Sequence, residues 1–335
     1  MKQIYSNIET MPKNCIQFDA REIHAVENGI CVLLKLFDGV DEHVPDLLLE
    51  SSTKEHIEEI LETESHLAWI GRAKNLSLTG RAIEILPALG LHEESKIEDI
   101  SLRAYDPAHV AEILRMENNS VGAGCVKRLN LYEHAVGILP KICFHEESEM
   151  ESLVLYSDFH DSIAEISKME NNSIWVGKVR VMGLGGYAVG IFSKLGIHEE
   201  FVMEELLFSA VLSEYITEML EKENSSICVG RVKVLGLVGY AVGILPKLGI
   251  HRENVMEVFG LDTDKTEHLT EIFKAESNSI WVGKVKKLVL RYSAVGIFPK
   301  LKLHQENMME LFLLNVEIPG YIAGILKEEN NSIWI

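Results

Sequence analysis

Residues 285–335 read VKKLVLRYSAVGIFPKLKLHQENMMELFLLNVEIPGYIAGILKEENNSIWI, and residues 232–283 read VKVLGLVGYAVGILPKLGIHRENVMEVFGLDTDKTEHLTEIFKAESNSIWVG. The second text is the first displaced by 53 residues, with substitutions and no gap. Self-similarity at a fixed period marks a repeat architecture. The 335 residues are therefore expected to form one elongated domain, although their number alone would allow two or three globules.

Two strand-like texts alternate outward from this stretch. Type A begins at Val285, Val232, Val179 and Val126, at Ala73 in a weaker copy and at Ala20 in a faint one. Type B begins at Met309, Met256, Met203, Met150, Ile97 and Val44. The step from A to B is 24 residues and from B to the next A is 29, so residues 20–335 hold six double repeats of 53 residues, or twelve short units. Residues 1–19, with Ile4 and Ile8 on one face, are expected to cap the first strand as an N-terminal cap. Most units open with apolar residues at positions one, four and six, as in Val126, Leu129 and Leu131, the pattern of a half-buried strand. After B strands the period lengthens: Ile216, Met219 and Leu220 share one helical face. After A strands, Pro87, Pro140, Pro246 and Pro299 (Ser193 in one copy) limit the helix to a short or partly 3₁₀ segment.

A strand, turn, helix and turn recurring every 24 to 29 residues, with L-x-x-L-x-L strand text, resembles the leucine-rich repeat family. The alternation of two unit types is similar to the ribonuclease-inhibitor-like subclass. The resemblance implies an α/β fold: a curved right-handed solenoid, the leucine-rich-repeat horseshoe, with a parallel sheet on its concave face and helices on its convex face. Strands pack about 4.8 Å apart and helices about 10 Å apart, so such a stack curves. The family's Asn or Cys beyond the last strand leucine survives only as Asn28; later A units carry Arg81, His134, Tyr187, Tyr240 and Ser293 there. Some other group must therefore bind the turn's backbone.

Composition narrows the function. A net charge of −19 and a pI near 5.1 argue against nucleic acid and anionic membranes as partners, and leave a basic protein partner compatible. Cys15, Cys31, Cys125, Cys143 and Cys228 are odd in number and show no short-spaced pair, so neither a disulfide framework nor a zinc site is expected. Cys228 stands where other units have Trp and reads as a buried small apolar residue. With no apolar leader, a cytoplasmic location is the simplest expectation. The N-x-S triplets at Asn118, Asn171, Asn224 and Asn330 sit in a repeated turn, where Asn and Ser have a structural reason to be, and a fifth at Asn75 lies in strand text.

Polar features that recur with the repeat read as structure. His92, His145, His198, His251 and His304 lie two strands from one another, about 10 Å, too far to share a metal with bonds of about 2 Å; they read as turn-stabilising. Trp69, Trp175, Trp281 and Trp334 read as packing between successive turns. Gly183-Leu184-Gly185-Gly186 imitates a phosphate loop, but the glycines vary among other copies of the register. The second and third strand positions are cationic in A units (Lys74, Lys127, Arg128, Arg180, Lys233, Lys286, Lys287) and anionic in B units (Glu98, Asp99, Glu151, Glu204, Glu205, Glu257, Glu310). That alternation predicts a self-neutralising ladder across the sheet.

The remaining inward positions do not repeat, which is how a recognition surface looks, although neutral drift on a solvated face produces the same pattern. Candidate anchors there are Arg103, Tyr132, Tyr156, Asp262, Arg291 and Tyr292, because aromatic and Arg residues dominate interface energetics. No singular catalytic constellation stands out, and no cofactor or metal is expected. The leading expectation is a non-enzymatic solenoid that binds another protein on its concave face. The alternatives are an architectural subunit, held by its helical face or by the edge Ile333, Trp334 and Ile335, and a secreted or host-directed recognition factor.

Overall fold

A computed structural model describes residues 20–36, 46–55, 57, 73–89, 91, 97–124, 126–144, 149–198 and 200–316. Within these the chain divides into two compact units. One comprises residues up to Ser152 together with Asp161–Ile166, and the other comprises Leu153–His160 and the residues from Ser167 onward. The proposed cap at 1–19, His92, His145, Trp69, Cys15, Cys125 and the edge Ile333–Trp334–Ile335 lie outside the described residues.

The first unit is a parallel sheet in sequence order. Strands Glu22–Val26, Asp46–Ser51, Asn75–Gly80, Asp99–Ala104 and Arg128–Glu133 pair successively. Glu22 lies opposite Asp46, Leu47 opposite Leu76, Asn75 opposite Asp99, and Asp99 opposite Arg128, so the alternating steps of 24 and 29 are the register itself. Ser152 N–H donates to the Lys127 carbonyl at 3.1 Å, which makes the texts beginning at 126 and 150 neighbours.

The second unit follows the same rule. Ile174–Gly186, Val202–Ala210, Ile227–Gly239, Val255–Thr263, Ile280–Tyr292 and Leu311–Asn315 are parallel and adjacent in order. Their fourth and sixth positions are buried, as at Leu206, Phe208, Leu235, Leu237, Phe259 and Leu261, except in the last strand, where Phe312 is half-buried and Leu314 exposed. Each such side chain contributes about 1.5–3 kcal/mol by leaving water. Phe208 meets Phe192 of the preceding segment edge-on, with centroids 4.9 Å apart.

The first A strand is followed by an α-helix, Asn28–Leu36, whereas the segments after the later A strands are 3₁₀: Arg81–Leu89, His134–Lys141, Tyr187–Lys194, Tyr240–Lys247 and Ser293–Lys300. After B strands the helix is shorter than its apolar period implies. Ser213–Ile216 is 3₁₀ and only Thr217–Leu220 is α-helical, though Ile216 and Met219 are buried as expected.

The later A strands also begin five residues earlier than their text suggested. Ile174–Gly177 pairs in parallel with Leu195–Ile197, and the same short ladder recurs at Ile227–Gly230 with Leu248–Ile250 and at Ile280–Gly283 with Leu301–Leu303. This outer ladder holds the Trp column at the surface. Trp175 is 36% exposed and Trp281 is half-buried, instead of packed between turns. Cys228 in the same column is exposed, not buried, because alternate residues of the outer strand face solvent.

The turn before each A strand explains the N-x-S text. Asn119, Asn172, Ser225 and Asn278 all have φ +56°, a left-handed conformation that Asn tolerates better than most residues. Their N–H groups donate to the carbonyls of Pro140, Ser193, Pro246 and Pro299. The following serines donate their hydroxyls to the carbonyls of Glu117, Glu170, Glu223 and Glu276.

Candidate functional site on the open face of the sheet

Strand alternation sends positions four, six and eight inward and positions three, five and seven to the open face. The charge ladder forms at the edge of that face. In the first unit Arg128 bonds Asp99 at 2.6 Å and Glu151 at 2.8 Å, while Glu98 receives Lys127 at 3.2 Å and Lys74 at 3.7 Å. In the second, Arg180 bonds Glu204 at 2.7 Å. The hydrogen bond from Lys127 holds the Glu98 carboxyl below its ordinary range, and that from Arg180 does the same for Glu204. These side chains are committed to one another.

The polar residues at the position of the family's Asn contact other side chains. In the first unit Arg81 bonds Glu84 at 2.7 Å and His134 lies 3.7 Å from Asp161. In the second unit Tyr187 meets Tyr215 with centroids 4.7 Å apart, and Tyr240 meets His268 at 3.9 Å. Burial raises the Tyr215 hydroxyl pKa beyond the usual tyrosine range, helped by its hydrogen bond to Asp158. Burial pushes the His268 imidazole pKa down. Thr263 Oγ1 lies 2.5 Å from His268 Nδ1, the spacing of a nucleophile and its base. Both side chains are nonetheless buried, so the pair fastens the seam.

The expectation for the recurring histidines holds where the turn is described in full. Nδ1 of His251 accepts from Glu253 N–H at 3.3 Å, and Nδ1 of His304 from Glu306 N–H at 3.1 Å. His198 and His304 also lie beside Trp175 and Trp281, with centroids 6.3 and 6.0 Å apart. The same turns carry two residues that the pattern did not single out. Buried Asn254 donates to the Val232 carbonyl at 3.0 Å and accepts from its N–H at 3.2 Å, and Asn307 accepts from Val285 N–H at 2.6 Å. The recurring H-x-E-N text was their signal.

The candidate anchors fall into separate groups. In the first unit Arg103 and Tyr132 are adjacent across the sheet, the guanidinium 4.3 Å from the ring centroid. Tyr105, 57% exposed, has its ring centroid 5.9 Å from the same guanidinium. It was not among the anchors because it lies past the strand. Arg103 is flanked in register by Thr79, and the row beside it is Ser77, Ser101 and Asn130. In the second unit Asp262 and Arg291 are register partners joined at 3.2 Å. Tyr156 lies over Gly185, where an added Cβ would fall 2.5 Å from its ring, and its hydroxyl donates to Asp158. Tyr292 takes a left-handed φ of +54° at the strand end.

The rest of the second unit's face is low and apolar. The fifth row runs Gly183, Leu207, Gly236, Gly260 and Val289. Leu207 and Val238 are exposed. No helix among the described residues is long and apolar enough to cross a membrane. Comparison of the chain with protein-family profiles, with characterised proteins and with solved structures returns no match.

Proposed function

We propose that this chain is a non-catalytic repeat solenoid that binds another protein on the open faces of its sheet. The observation that carries the reading is the contrast within one strand. In Val202–Ala210 the residues that hold the fold are buried and their counterparts recur, whereas the open-face position between them varies from unit to unit, as Val154, the exposed Leu207, Gly260 and the exposed Leu313. Exposed apolar groups set among glycines and rimmed by charge are what a partner's side chains pack against. The ribonuclease-inhibitor-like alternation of unit types makes inhibition of a basic enzyme the most specific form of this reading, and it rests on analogy. The exposed free thiols of Cys143 and Cys228 favour a reducing, cytoplasmic setting.

An architectural role has its own support in Leu114 and Phe273, exposed on the helical side. Proteins captured by the wild-type chain, identified by mass spectrometry and re-purified, distinguish the two. The paired substitution Leu207→Arg and Val238→Arg is expected to weaken the re-purified complex at least tenfold, and Phe273→Arg to leave it unchanged. The reverse pattern would assign the contact to the helical side.

A further inference from the structure

We propose that Arg103 receives a single carboxylate presented by a protein partner, which rests on the reading above and names the chemistry of one contact within it. Of the eight other arginines among the described residues, six, Arg81, Arg115, Arg128, Arg180, Arg231 and Arg291, each meet a carboxylate of the chain. Arg103 meets two tyrosine rings instead, and its only interactions among the described residues are those two. Stacking engages the face of a guanidinium and holds its plane, while the in-plane N–H donors stay free for a bidentate acceptor.

The sheet itself shows what such an acceptor is. Arg291 occupies the same seventh strand position in the second unit, and there the adjacent strand supplies Asp262 at 3.2 Å. In the first unit the adjacent strands supply Thr79 and Tyr132, neither of them an anion. The seventh row thus accommodates an Arg–carboxylate pair, and at Arg103 no described residue provides the carboxylate. Ser77, Ser101 and Asn130 in the next row add hydroxyl and amide groups at about 4.8 Å spacing.

A monoanion fits better than a phosphate. Among the described residues one cation is free on this part of the face, since Arg128 is committed to Asp99 and Glu151. Phosphate recognition draws on clusters of arginines, and a dianion would approach a chain of net charge −19. The two neighbouring tyrosine rings suit the methylene stem of a glutamate.

The test uses the full chain with three probes, the acetylated tripeptide amides Ala-Glu-Ala, Ala-Gln-Ala and Ala-phosphoserine-Ala. Each is titrated at pH 7 while the arginine Nε–H resonances are followed by NMR. The Arg103 resonance is identified by its loss in Arg103→Gln. Saturable movement of that resonance with the glutamate probe is expected, at least threefold tighter than with phosphoserine and absent with glutamine. Tyr132→Ala, which removes one stacking ring, is expected to weaken the glutamate response at least threefold. No saturable response to glutamate, a response equal for glutamine, or tighter binding of phosphoserine would overturn the proposal. Its failure leaves the parent reading intact, because that reading is tested at Leu207 and Val238 in the other unit.

Discussion

At the scale of single residues, the strand ends show how much the coil constrains. Gly186 has φ +61°, and a Cβ there would collide with the Ser157 carbonyl oxygen. Gly230 has φ +71° with nothing within 4 Å of its Cβ direction. Gly186→Ala should therefore lower stability by more than the ~1–2 kcal/mol of a left-handed alanine, whereas Gly230→Ala should cost about that amount; urea unfolding midpoints measure both. Conversely, Glu133 carries a side chain at φ +58° in the equivalent position, and Glu133→Gly should gain up to about 1 kcal/mol. Buried Asn254 satisfies both backbone groups of Val232, so Asn254→Ala should cost roughly 1–3 kcal/mol per orphaned group. His268 and His109 each have a pKa lowered by burial. The unfolded chain binds their protons first, so their stability is intact above about pH 6.5 and is lost as pH falls below it. His268→Gln and His109→Gln should each flatten part of that decline in a pH series of unfolding midpoints.

At the scale of elements, the main sheet was legible because two constraints agreed. Leu129 and Leu131 flank the polar Asn130, and the spacing of such buried pairs, as at Leu206 and Phe208, recurs without a gap. The charge ladder was legible for the same reason, since Arg128 and Asp99 occupy matched positions in adjacent texts. What escaped was decided by geometry that a pattern does not carry. Ile174–Gly177 is only four residues long and becomes a strand because Leu195–Ile197 returns beside it. The one-turn helix Thr217–Leu220 is short because the preceding Ser213–Ile216 is wound as 3₁₀. Of the candidate site, Arg103 and Tyr132 were found from residue type and position. Tyr105 was not, since it lies past the strand, where the period gives no orientation. Ser193 stands where other copies have proline, and its hydroxyl is buried without a partner. Ser193→Pro should raise stability by about 0.4–1 kcal/mol through the unfolded chain, read as a higher thermal midpoint.

At the scale of the whole molecule, each coil touches chiefly its sequence neighbours, so stability should follow the number and register of coils more than any single contact. The register partners 24 or 29 residues apart give this a definite form: 53 residues is the smallest piece whose removal restores A beside B with cations facing anions. The face that binds a partner exists only while that order is kept. The direct test is cooperative unfolding of two deletions. Removing residues 232–284 is expected to leave a chain that unfolds in one transition, with far-UV circular dichroism per residue unchanged and a urea m-value lower in proportion to the surface lost. Removing residues 232–257, half that length, is expected to abolish the transition. Equal damage from both deletions, or a native-like transition from the shorter one, would contradict the account.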